Sequence, residues 1–225
     1  SALSSSSSDV RSLHCATKRS CGLRSSDAGP SPTVFPRSCQ SRSGAASVSI
    51  TGTTNASSIL LGSSTTVANT TGSLVVELKM IPNQPIVFHG DGQPRKEDDL
   101  IAYCWHQFLD TGDPTWLPRM PMVKSVVKAM DCIEEWSKQE GIPVGKFVVA
   151  GGSKRGWTTY TTAAVDGRVF AIMPLVIDLL NIRPSFQHHF QVYGRYANAV
   201  QDYVVTKIMD RQDLPEYTKL MQIEE

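Results

Sequence analysis

The chain has 225 residues, 40% of them hydrophobic, with 22 Lys and Arg against 21 Asp and Glu and a net charge of +1. That balance lacks the basic excess of a nucleic-acid binder, and no apolar run approaches the ~20 residues that cross a bilayer. Five cysteines without a C-x-x-C pair speak against a zinc site and leave any disulfide pairing open; no metal or cofactor is expected.

Residues 1–70 differ in composition from everything after them. Ser4 to Ser8 is a serine run, and Ser, Thr, Gly, Pro and Arg dominate the rest of the segment. Such a segment buries too little apolar surface to offset its ordering entropy, so a mostly disordered tail is expected. Within it, Ser47–Thr51 and Ile59–Leu61 are short strand candidates. The start has neither an initiator Met nor the apolar core of a signal peptide, so the true N-terminus is expected to lie further upstream. Asn55-Ala-Ser57 and Asn69-Thr-Thr71 are glycosylation sequons, which a Ser/Thr-rich stretch also produces by chance.

Order is expected from Ser73 to Met80, where Leu74-Val-Val and Leu78 read as a buried strand. Pro82 and Pro85 then force a turn-rich exit. Glu97, Asp98 and Asp99 put acids where a helix N-terminus favours them. Ile101, Cys104, Trp105 and Phe108 follow at helical spacing, as far as Gly112. A second helix over Met122–Gln139 carries one apolar stripe through Val123, Val126, Val127, Met130, Ile133 and Trp136, and Gly141 and Pro143 end it. Its role is structural: a crossover back to the next strand. Cys104 and Cys132 read as small buried hydrophobes, His89 and His106 as surface or packing residues, and Trp105 and Trp116 as core or lid residues.

The stretch that carries chemistry is Lys146-Phe-Val-Val-Ala-Gly-Gly-Ser-Lys-Arg-Gly-Trp157. Phe147–Ala150 reads as a buried parallel strand, Gly151 and Gly152 as a corner, and Thr158–Val165 as a helix. Strand, glycine corner, serine and helix form the setting of a nucleophile elbow, with Ser153 as nucleophile and the Lys154 N–H facing a developing oxyanion. The G-x-S-x-G consensus is incomplete, because Arg155 takes its last position and the glycine follows at Gly156. The residues alone therefore also allow a turn whose serine merely caps a helix. A phosphate loop fits worse, since the serine precedes the lysine.

After Ser153, threonines crowd a segment that is expected to be helical, a poor local choice. Val169–Ile177 is almost continuously apolar and predicts an interior parallel strand. From Arg183 onward, aromatic and polar residues alternate as in a helical lid. A serine hydroxyl needs a histidine to take its proton and usually a carboxylate to orient that histidine. Asp178 followed by His188 or His189 satisfies the Ser, acid, His order of α/β-hydrolases. Lys154 and Arg155 either raise the positive potential for an anionic substrate or pair with surface acids.

Ala150-Gly-Gly-Ser-Lys-Arg-Gly-Trp-Thr-Thr159, Ala163-Ala-Val-Asp-Gly-Arg-Val169 and Met173-Pro-Leu-Val-Ile-Asp-Leu-Leu-Asn181 closely resemble the PhoPQ-activated pathogenicity-related family, which also contains the autocrine proliferation repressor A proteins. So do Thr71-Gly-Ser-Leu-Val-Val-Glu-Leu-Lys79, Ile81-Pro-Asn-Gln-Pro85, Asp99-Leu-Ile-Ala-Tyr103 and Ser185-Phe-Gln-His-His-Phe190. The resemblance runs from about Thr71 to the end. It implies a partial α/β-hydrolase fold, a mostly parallel sheet with flanking helices, in which residues 71–182 form a βαβαβ core and residues 183–225 a lid-like segment. It implies Ser153 as nucleophile, and an acid and histidine beyond Glu225, so that the chain as given is expected to turn over little; His188 and His189 then become lid residues. Ile59-Leu-Leu-Gly62 is similar to the loop that donates the second oxyanion N–H. The resemblance further implies an extracellular or secreted protein. Its partner is either a small ester or peptide substrate or, for a binding or signalling protein without turnover, a cell-surface receptor.

Overall fold

A computed structural model describes residues 11–12, 33–34, 44–52, 64–178 and 181–225. Among the described residues six strands form one sheet: β1 (Arg11–Ser12), β2 (Thr33–Val34), β3 (Ala45–Ile50), β4 (Leu74–Leu78), β5 (Lys146–Gly152) and β6 (Val169–Leu175). Their order is β1-β2-β4-β3-β5-β6, with β4, β3, β5 and β6 mutually parallel and the two short N-terminal strands antiparallel.

The expected strand at Ser47–Thr51 is β3, and it lies at the centre of the parallel sheet, paired with β4 on one side and β5 on the other. The sheet therefore starts ahead of the boundary expected at residue 71. The reason is local: Ala45-Ala-Ser-Val-Ser-Ile50 alternates half-buried with buried residues, so Ala46, Val48 and Ile50 present one apolar face. Its serines point to the other face and make the stretch look like tail. The candidate strand at Ile59–Leu61 and the Ile59–Gly62 loop lie outside the described residues.

The helices are α1 (Ser64–Thr71), α2 (Glu97–Thr111), α3 (Arg119–Gln139), α4 (Lys154–Val165), α5 (Ile182–Tyr193), α6 (Gln201–Val205) and α7 (Pro215–Glu224). α2 ends at Gly112, as expected, and that glycine is left-handed with φ 72°. α3 lays Val126, Met130 and Ile133 on the β-sheet residues Val48, Ile50, Val76, Phe147 and Val149, forming one core. A second core joins Leu100, Ile101, Trp105 and Phe108 of α2 to Trp157 of α4, Tyr203 of α6 and Tyr217 and Leu220 of α7. Residues 183–225 are helical as expected, and their second half packs into this core.

The threonines of α4 have a physical explanation. Thr158, Thr159 and Thr162 are fully buried, and each hydroxyl donates to the carbonyl four residues back, to Lys154, Arg155 and Thr158 respectively, at 3.0, 2.8 and 2.7 Å. Back-bonding satisfies the hydroxyls inside the helix, and burial outweighs their modest propensity cost. One expectation is overturned. Among the described residues β6 is not an interior strand but the last in the sheet, with Phe170 57% and Met173 46% exposed. A continuous apolar run reports what a strand is fit to bury, and its actual neighbours decide whether it is buried.

Candidate active site

The strand order sets the stage. From β3 the chain moves outward to β4, then crosses back to β5 on the other side of β3 and continues outward to β6. Winding direction thus reverses between β3 and β5. In open α/β sheets the crevice at the carboxyl ends of two such strands is where ligands bind. Gly52 follows the end of β3, and Ser153 follows the end of β5.

Ser153 has φ 52° and ψ −123°. A positive φ is uncommon for a residue with a Cβ, and this ψ lies outside the left-handed helical well. A conformation of this kind costs on the order of 1–3 kcal/mol and persists only where its surroundings impose it. Those surroundings are visible. The Ser153 N–H donates to the Leu175 carbonyl at 2.8 Å, and the Ser153 carbonyl accepts from Trp157 at 3.0 Å, the first bond of α4. The side chain makes no capping bond to the helix, so the serine is not there as an N-cap. It stands half-buried at the positive end of α4, where the first N–H groups have no helical carbonyl to meet.

The incomplete consensus is also explained. A Cβ on Gly151 would lie 2.6 Å from the Arg155 carbonyl oxygen, so strand end and helix start touch backbone to backbone. Gly156 is needed for a different neighbour, the Ile177 Cγ2 at 2.6 Å from its would-be Cβ. Position 155 tolerates a large side chain because that side chain leaves sideways, over Gly52.

Lys154 and Arg155 do not present free positive charge. The Lys154 ammonium sits between Asp98 and Glu97, 3.3 Å from the latter. Arg155 forms a fork with Glu97, at 2.6 and 3.0 Å, and its Nε–H donates to the Ile81 carbonyl at 2.7 Å. The acids at the start of α2 therefore do more than complement the helix dipole. Both cations are neutralised, and Asp99 and Asp202 remain nearby: burial and then repulsion from Asp99 and Asp98 raise the Asp202 carboxyl. An attraction for anionic substrates is accordingly not supported.

Glu97 carries a pH consequence. Burial raises its pKa, but the Arg155 hydrogen bonds and charge, with Gln84 and Lys154, outweigh burial and hold it at about 2 against an ordinary 4.5. A depressed folded pKa stabilises above the unfolded value and the benefit is lost as pH falls towards the folded one. Acid unfolding of Glu97→Gln, followed by circular dichroism from pH 5 to pH 2, should be measurably flatter over that window than wild type.

The other proposed partners sit just past β6 and on α5. Asp178 is exposed after β6; His188 is exposed on α5, while His189 packs on Tyr193 at 4.8 Å. Among the described residues no hydrogen bond joins any of the three to Ser153. His106 faces Asp110 at 3.3 Å, and His89 belongs to an aromatic group with Phe88, Tyr103 and Trp116. Trp105 is buried as expected, as is Cys104, whose thiol burial pushes up to about 12; Cys132 is half-buried. No helix among the described residues is long and apolar enough to cross a membrane, and no group of three His, Cys, Asp or Glu among them can hold a metal ion.

Sequence reasoning missed Arg119. It is fully buried at the start of α3, donating to Glu224 at 2.9 Å and, through one nitrogen, to the Lys154 carbonyl at 2.8 Å and Thr158 at 2.9 Å. No local signal announces a partner 105 residues away.

A parallel α/β sheet with a strained serine corner at its switch point defines the class of protein. The chain belongs to the PhoPQ-activated pathogenicity-related protein family, whose family model matches residues 35–225. It is similar to autocrine proliferation repressor protein A of Dictyostelium discoideum, with 48% identity over 153 residues, 68% of this chain and 31% of that protein. The chain thus spans about a third of the length of this curated relative. No solved structure matches it.

Proposed function

We propose that the chain is the nucleophile-bearing part of a serine hydrolase of the α/β-hydrolase kind, acting on an ester or peptide bond. The observation that carries this reading is the backbone of Ser153, held at φ 52° and ψ −123° between a parallel strand and a helix start. That is the conformation a nucleophile elbow requires, and a structural turn has no use for its cost. In the proposed reaction the Ser153 Oγ attacks the acyl carbon and gives up its proton to a base. The oxyanion that forms faces the Lys154 N–H and a second donor from the loop after β3. Collapse expels the alcohol or amine, and water then frees the acyl group. Base and acid are to be sought in the longer family proteins, because Asp178, His188 and His189 make no hydrogen bond to the serine.

Free imidazole can supply a proton acceptor from solution. Treated with an alkyl fluorophosphonate, the chain should gain one phosphonyl group on Ser153, as the O–P bond forms, fluoride leaves and the proton passes to added imidazole. The rate should rise with free imidazole, vanish in Ser153→Ala, and stay unchanged in His188→Ala and His189→Ala. Peptide mapping that finds the adduct spread evenly over the chain's many serines overturns the reading. Loss in either histidine variant reinstates the internal triad.

The relative's name, a proliferation repressor, favours a second reading: a secreted signalling or binding protein that keeps the scaffold without turnover. Saturable binding to intact cells by Ser153→Ala as well as wild type, with no adduct in either, selects it. Both readings set the protein outside the cell, which its recovery from the medium of cells expressing the whole native gene would check.

A further inference from the structure

Arg155 occupies the consensus position that a small residue should fill, and its surroundings give it a task. Two backbone segments flank the switch crevice: the exit of β3 at Thr51-Gly52 and the corner at Gly152-Ser153. A Cβ on Gly52 would lie 2.2 Å from the Arg155 Cζ and Nη2 and 2.6 Å from Nη1, so the guanidinium lies directly against the Gly52 backbone. Every neighbour of this contact is tied to the next. Glu97 takes the guanidinium fork, and the Gln84 Oε1 accepts from the Glu97 N–H at 2.9 Å. The Gln84 amide donates to the Gly52 carbonyl at 3.4 Å, and the Ile81 N–H donates to the Thr51 carbonyl at 3.0 Å. The Arg155 Nε–H closes the ring on the Ile81 carbonyl.

We propose that Arg155 is a positioning residue for the acyl-transfer site: it clasps the β3 exit at Gly52 against the serine corner and so fixes where the Lys154 N–H stands at the crevice. The inference rests on the hydrolase reading of Ser153. In that reading the Lys154 N–H is an oxyanion donor, and its place depends on the corner that Arg155 holds. The planar guanidinium spans the two segments. Its fork is what lysine cannot reproduce: an ammonium at 155 can meet Glu97 but cannot also lie flat on Gly52 and reach the Ile81 carbonyl. Donors displaced by an ångström lose transition-state stabilisation more than they lose binding.

The test uses the whole chain and the imidazole-assisted fluorophosphonate reaction. Arg155→Gln and Gly52→Ala should each lower the limiting rate of adduct formation at Ser153 about tenfold or more, with the half-saturating probe concentration little changed. Arg155→Lys should recover only part of the loss. Amide exchange at Ile81, which donates to the Thr51 carbonyl, and at Ser153, which donates to the Leu175 carbonyl, should accelerate together in Arg155→Gln. The control is Arg168→Gln, which breaks an ion cluster with Asp131, Glu134 and Asp166 near the opposite end of β6; it should lower thermal stability yet leave the limiting rate and both amides as in wild type. An Arg155→Gln chain that labels at the wild-type limiting rate, or a control that slows equally for the same thermal loss, overturns the clasp and leaves Ser153 as nucleophile. Exchange reads the clasp without chemistry. A wild-type chain that never labels at Ser153 therefore overturns the hydrolase reading, while unchanged exchange at Ile81 and Ser153 overturns the clasp itself.

Discussion

Glu224→Ala should destabilise the fold by about 3–5 kcal/mol, the cost of leaving a buried cation without its partner. Both side chains of the Arg119–Glu224 pair have no solvent exposure. The pair is embedded among groups that depend on it: Glu224 Oε1 accepts from the Trp105 indole at 3.0 Å, and the Arg119 guanidinium lies 4.4 Å over the Trp157 ring. One Arg119 nitrogen has no hydrogen-bond partner, so the pair has no reserve when Glu224 is removed. Glu224→Gln keeps an acceptor for Trp105 but loses the charge, and should fall between wild type and alanine. Replacing both, Arg119→Met with Glu224→Leu, removes the stranded charge and should recover much of the loss, short of the roughly 1–3 kcal/mol for the orphaned Trp105 N–H. Urea midpoints at unchanged slope measure all three. A loss below about 1 kcal/mol in Glu224→Ala would mean that water reaches Arg119, contrary to its burial.

The second large effect belongs to the corner. Gly151→Ala places a Cβ 2.6 Å from the Arg155 carbonyl oxygen and 2.7 Å from its carbon. These are backbone atoms of the first turn of α4, with no side chain free to swing away. The helix start must move, at roughly 1–3 kcal/mol for the forced fit, and it carries the Lys154 N–H with it. Adduct formation at Ser153 should fall by on the order of a hundredfold, far more than the stability loss explains. Gly145→Ala is the contrast: nothing lies within 4 Å of its would-be Cβ, so both rate and stability should stay near wild type. Wild-type labelling in Gly151→Ala would show that the corner does not position the nucleophile.

Much of the fold was legible because its signals are local. The periodicity of α2 and α3, the β-branched run of β5 and the glycine after α2 are set by neighbours within a few residues. The serine corner was legible for the same reason: strand, two glycines, serine and helix follow one another directly. β3 was harder, because every second residue in Ala45–Ile50 is small or polar and the surrounding composition hides a strand of six. β6 misled in the opposite direction, since its apolar run describes a strand fit for two neighbours and among the described residues it has one.

By itself the sequence determined the class of fold, the family, and the one serine whose local setting suits a nucleophile. Only the tertiary structure decided that Lys154 and Arg155 are spent on Glu97 and Asp98, and that Arg119 is sealed against Glu224. The division follows from chain separation. Secondary structure and tight turns are governed by residues close in sequence, whereas the state of a charge depends on partners that folding brings from 58 or 105 positions away.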